Sequence, residues 1–295
     1  MNKLIYVVIL SLGISTYSFT QELAPYIKVG TVNASVEEVS KSVMEALKSE
    51  EFFILGSYNP AKKKNLKVIV FSRADLSSRA VKVIDRGALA APMKIGLIDS
   101  EGNTEVSYTN PEYLTRAYLR DNFTSFSSTI SDFHKDLKSA LSSIGNEFTP
   151  FGGTVKADKL KNYHYKIMMP YFTDPVELAE FDSFEQGLNI VRSNLKSAKG
   201  NTRLVYELVY DNAKVAVFGV GLFDPEDGEG HFLPKIGEGH VAALPYEIIL
   251  QDNVLTMLHG KYRIALHWPD LTMGTFMKIM STPGDIKDSM KGLTE

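Results

Sequence analysis

Residues Phe232 to Leu250 read FLPKIGEGHVAALPYEIIL, and Gly87 to Ile98 read GALAAPMKIGLI. In each, a loop rich in small residues passes through Ala-Ala to a proline, Pro245 or Pro92, and enters a β-type run that heads for a turn. Two such units in one chain point to an internal duplication. Three other pairs support it. Leu47-Lys48-Ser49 returns 148 residues on as Leu195-Lys196-Ser197, and Lys67-Val68-Ile69-Val70-Phe71 returns 147 residues on as Lys214-Val215-Ala216-Val217-Phe218. Pro92 and Pro245 lie 153 apart, and Pro111 is matched with Pro269, 158 apart. Offsets that drift by a few residues at loops are what an old duplication leaves.

The order of elements follows. Tyr26 to Val32 reads as a strand, and Ser35 with Glu38 forms a capping box ahead of the helical stripe Val36, Val39, Val43 and Leu47. Phe52 to Tyr58 and Leu66 to Phe71 read as strands joined by Asn59-Pro60 and the solvated triplet Lys62 to Lys64. After a short helix in Ala74 to Ile84, Pro92 leads into a hairpin, Met93 to Ile98 and Thr104 to Thr109. Asn110-Pro111 then opens a helix at the position where a missing amide costs nothing. From Phe123 to Ile144 an aromatic and aliphatic stripe recurs every three or four residues, a long amphipathic helix.

Gly145, Pro150, Gly152 and Gly153 break that pattern and the order restarts. Tyr163 to Met169 (YHYKIMM) is expected to be the first strand, and Ser183 with Gln186 the cap of a helix carrying Leu188, Val191 and Leu195. The expected fold class is α+β, a tandem repeat of a helix-on-antiparallel-sheet unit, with residues 21–150 as the first repeat and 151–295 as the second.

Residues 1–20 differ from the rest. Lys3 precedes the apolar core Leu4 to Ile14, and Ser18-Phe19-Thr20 supplies small residues, the plan of a signal peptide cleaved near Thr20. An exported protein, periplasmic or secreted, is the expectation, and no later apolar run is long enough to span a membrane. The chain has no cysteine, which excludes disulfides, thiolate metal sites and a cysteine nucleophile. A formal charge of −3 gives no basic excess for nucleic acid.

This order of capped helix, paired strands, small-residue loop, proline and hairpin, then a proline-led helix, resembles the domain-of-unknown-function family 302. The resemblance is carried by KVIVF and ALAAPMKIGLIDSEGNTEVSYTNPEYL in the first half, and by KVAVFGVGL, GHVAALPYEIIL and HWPDL in the second. It runs from about Val29 and again from about Tyr165, and implies a compact β-α-β(4)-α unit used in pairs. The family brings no established activity, so it implies no catalytic residues and no cofactor.

Five of six histidines lie in the second half, which directs the search there. Gly237 to Ala242 matches G-x-G-x-x-A, but a proline and a strand follow instead of the helix that would meet a pyrophosphate. The acidic run Asp224 to Glu229 fits no calcium loop and reads as a solvated turn. If Asp252-Asn253 is a two-residue turn, Leu250 pairs with Leu255, Ile248 with Met257 and Tyr246 with His259. A second turn at Gly260-Lys261 would bring Tyr262 beside His259, with a bulge at Gly260 as the alternative.

The candidate site is therefore His240, Tyr246, His259 and Tyr262, the rim of a pocket between sheet and helices, with Met273, Phe276, Met277 and Met280 as adaptable walls or ordinary helix core. Three functions are open: a non-enzymatic module binding a small apolar or amphiphilic ligand or a partner; a hydrolase or isomerase with His/Tyr proton transfer; and a metal-binding protein.

Overall fold

The computed structural model describes residues 21–295, so the signal-peptide reading of residues 1–20 lies outside the described residues. The chain enters through β1 (Glu22–Leu23) and β2 (Tyr26–Val32) and turns into α1 (Val36–Ser49). The Ser35 hydroxyl accepts from the Glu38 amide while the Glu38 carboxylate accepts from the Ser35 amide at 3.0 Å. Two amides near the helix start are thereby satisfied. Strands β3 (Phe53–Tyr58) and β4 (Leu66–Ser72), helix α2 (Ala74–Ala80) and a short 3-10 turn at Gly87–Ala90 lead to the hairpin β5 (Met93–Ser100) and β6 (Asn103–Thr109). Helices α3 (Pro111–Leu119) and α4 (Phe123–Leu141) follow, then β7 (Thr149–Phe151) and β8 (Val155–Lys156).

The rest of the chain forms β9 (Val176–Glu180), α5 (Phe184–Lys196), β10 (Thr202–Tyr210), β11 (Val215–Leu222), α6 (Glu229–Ile236), a 3-10 turn at Glu238–Ala243, β12 (Tyr246–Gln251) and β13 (Val254–Met257). Helices α7 (Gly260–His267), α8 (Met273–Met277) and α9 (Thr282–Lys291) close it. The fold is α+β with antiparallel pairing throughout. The first sheet has the order β3-β4-β5-β6-β2 with β7 added beside β2, and the second has the order β10-β11-β12-β13-β9. Strand for strand, the two five-strand orders are the same. Residue 150 lies in the middle of β7, whose partner β2 belongs to the first sheet, and β1 pairs with β8 in a separate ribbon.

Helices cover the outer faces of the sheets. Phe71 of β4 meets Phe52 at 5.5 Å and Phe133 of α4 at 6.1 Å between ring centroids, while Gly187 of α5 lies against Leu250 of β12. The opposite faces turn toward each other. A Cβ on Gly96 of β5 would sit 2.6 Å from Val241, and one on Gly56 of β3 would sit 2.0 Å from the carbonyl oxygen of Val205 on β10. Only glycine lets the two halves close to this distance. The seam then forms one continuous buried core.

Four expectations are corrected. Tyr163 to Met169 is not a strand: the Tyr163 and Tyr165 hydroxyls reach the carbonyls of Ala265 and Leu271, and Met168 adopts φ 65°, so the segment folds over α7 as a loop. The strand in that place is β9. The predicted pairs Ile248↔Met257 and Leu250↔Leu255 form, but β13 ends at Met257, so Tyr246 and His259 do not pair. Gly260 to His267 is a helix, neither a turn with a further strand nor a bulge; the His259 imidazole caps it by accepting from the Lys261 amide at 3.2 Å. The position matching Pro111 is consequently Gly260, not Pro269. Finally, Met273, Met277 and Met280 are 49%, 58% and 60% exposed, so they are not helix core.

Candidate functional site

Three places gather polar groups at or near the seam; of the four residues singled out from sequence, Tyr246 falls in the first and His240 in the second, while His259 and Tyr262 fall in none of them. The first is a charged cluster. Lys94 of β5 pairs with Glu247 of β12, and the Arg263 guanidinium of α7 donates to the other Glu247 oxygen at 2.9 Å and to the Pro245 carbonyl at 2.7 Å. It also bonds the Ala243 carbonyl and lies 3.9 Å from the Tyr246 ring centroid. Burial opposes the charge on Glu247, but Lys94 and Arg263 outweigh it and hold the carboxyl below its usual range. Burial pushes the Lys94 ammonium down, against the pull of Glu247. Tyr246 is fully enclosed here, and its hydroxyl has no hydrogen-bond partner among the described residues.

The second place is an aromatic cluster around His240. Its ring stacks on Trp268 at 5.4 Å and sits 5.0 Å from Tyr26 and 6.0 Å from Phe151. His240 Nδ1 donates to the His267 carbonyl at 3.0 Å, and the Tyr26 hydroxyl lies 2.9 Å from His267 Nδ1. Burial pushes both histidines below their ordinary value, so they are neutral near pH 7. His259 stands apart, occupied as a helix cap, and Tyr262 is buried near the rings of Tyr163 and Phe172. Among the described residues no three His, Asp or Glu side chains are placed to hold a metal ion.

The third place is an open groove where β3 and β10 meet. Two concavities of about 540 and 480 Å³ share Lys62, Arg203, Leu204 and Phe223. One extends to Lys196 and Thr202, the other to Tyr58 and Lys64, so both halves of the chain line the groove. Lys62 Nζ lies 5.5 Å from the Phe223 ring centroid. Beneath it, the Tyr58 hydroxyl donates to Glu229 Oε1 at 2.8 Å, and the amides of Ala61 and Leu222 donate to the same carboxyl at 2.9 and 3.2 Å. Burial pushes Glu229 up to about 7, against those donors. A groove of similar volume between α3 and α4 differs in charge: its walls include the carboxylate of Glu112, paired with Arg116, beside Lys135 and Lys138.

Glu229 lies in the run read as a solvated turn, and it is instead wholly buried as α6 begins. Lys94, Glu247 and Arg263 were not singled out from sequence either. One signal for the first two was present: each is the second residue after its proline in otherwise apolar strands, MKIGLI and YEIIL.

No curated protein matches this chain. A crystal structure of an uncharacterized conserved protein DUF302 from Bacillus stearothermophilus is similar at 18% identity and a TM-score of 0.32, over 38% of this chain and 94% of that one. Residues 28–144, from within β2 to just beyond α4, match the model of the family described as Domain of unknown function DUF302.

Proposed function

We propose that this is an exported, non-enzymatic binding module built from two copies of one α+β unit, residues 21–150 and 151–295, holding a small amphiphilic ligand in the groove between them. The duplication is supported by the equal strand orders of the two sheets. Export is supported by the composition of residues 2–20. The observation that carries the binding reading is the groove itself: residues of both units line it, and it offers exposed cations beside Leu204, 37% exposed, and the half-buried Phe223. Sites of this volume suit small molecules.

Native mass spectrometry of the protein purified from its own cell envelope tests export and binding together. The expected species begins near Gln21 and carries a small-molecule mass that is lost on Phe223→Ala with Leu204→Ala. A bare protein, or a ligand that survives both substitutions, would count against the groove.

A further inference from the structure

Building on the groove reading above, we infer that the groove selects a ligand carrying a negative charge on a flat apolar body, an aryl carboxylate, sulfonate or phosphate. Its walls hold four cations, Lys62, Lys64, Lys196 and Arg203, and no carboxylate. None of the four makes a salt bridge or side-chain hydrogen bond among the described residues.

Three cations that do not line the groove are paired with carboxylates. Lys63 pairs with Glu238, Lys67 with Glu37, and Arg192 with Glu207. Lys63 is the middle member of the Lys62–Lys64 triplet, so pairing divides that triplet by whether a side chain faces the groove. Asp224, beside Phe223, pairs with none of the four: it accepts from the groove residue Asn201 at 3.0 Å and from the amides of Glu226 and Asp227 at 2.9 and 3.2 Å. Like charges held together without counterions repel, and an anion entering the groove relieves that repulsion. Phe223 and Leu204 provide the apolar surface for a ring, with the Lys62 ammonium near enough to meet an acid group on it.

Two fluorescent probes separate charge from body: 8-anilinonaphthalene-1-sulfonate, and N-phenyl-1-naphthylamine, which has the same rings and no sulfonate. Each is titrated into the purified protein, into Lys62→Gln with Arg203→Gln, and into Phe223→Ala, with thermal unfolding monitored to verify the fold. The sulfonate is expected to bind at least about tenfold more tightly than the uncharged probe, to weaken as ionic strength rises, and to lose its advantage in the Gln variant. Equal binding of both probes, abolished by Phe223→Ala but indifferent to Lys62→Gln with Arg203→Gln, would overturn charge selection and leave the groove standing. Binding of neither probe, or binding unaffected by Phe223→Ala, would overturn the groove as well.

Discussion

After the last strand of its hairpin, each half of the chain turns into a helix through a capped step, and the two steps differ in chemistry but not in geometry. Asn110 accepts from the Glu112 amide at 3.2 Å ahead of α3, and His259 accepts from the Lys261 amide at 3.2 Å ahead of α7. Four residues beyond each cap the halves part: Leu114 is buried and apolar, whereas Arg263 is buried and charged. Caps and these fourth residues are each 149 positions apart. Arg263 reaches Glu247, whose counterpart two residues after the first proline is Lys94, and those two counterparts touch across the seam. Had both positions kept the same residue, like charges would face each other in the core, at a cost burial magnifies. Similar units can therefore stay alike at their outer edges, but must become unlike where they meet.

The largest test of this contrast is Arg263→Leu, which gives α7 the residue α3 carries. It removes one of the two cations on buried Glu247 and leaves the Ala243 and Pro245 carbonyls without their donor. Urea unfolding is expected to show a loss of about 3–5 kcal/mol. A loss below about 1 kcal/mol would mean the cluster does not hold the halves together.

Glu229, which binds the Tyr58 side of the seam to α6, gives a smaller effect that depends on pH. Its folded pKa of about 7 lies above its ordinary 4.5, so between those values the folded protein holds a proton that the unfolded chain releases. Stability contributed by the protonated form is present at low pH and falls as pH rises through 7, by on the order of 3 kcal/mol in total. Glu229→Gln cannot titrate, so the stability of the wild type relative to the variant should decline from about pH 5 to pH 8. A difference that stays level, or grows with pH, would contradict the buried placement.

The smallest effect sharpens the comparison of caps. His259→Ala should cost about 1 kcal/mol, while His259→Asn, which copies the first half, should stay within a few tenths of the wild type. Thermal unfolding of the two variants side by side checks this.

Local signals in the sequence read well. Ser35 with Glu38, Asn110-Pro111 and the Asp252-Asn253 turn each lie where their chemistry places them, because each depends on partners within a few residues. The register failed one step past Met257, where continuing the alternation ignored that a histidine can cap a helix. α7 escaped notice because nearly all its residues are buried, so it carries no clear stripe. YHYKIMM had strand-like composition, but its tyrosines anchor it to α7 and to the loop that follows it instead.

The candidate site was less legible. His240, Tyr246, His259 and Tyr262 occupy separate surroundings, and the Lys62–Lys64 triplet read as a wet loop until Arg203 and Phe223 came to stand opposite it.

By itself the sequence determined the order of elements in the first half, the caps at Ser35, Asn110 and Ser183, the β12–β13 register as far as Met257 and the α+β class, all governed by neighbours close along the chain. Tertiary structure alone decided which charges are buried and which stay exposed without a partner among the described residues. Lys94 finds Glu247 across 153 residues and Ala61 finds Glu229 across 168, and partners that distant follow from how the two sheets close, not from any local pattern.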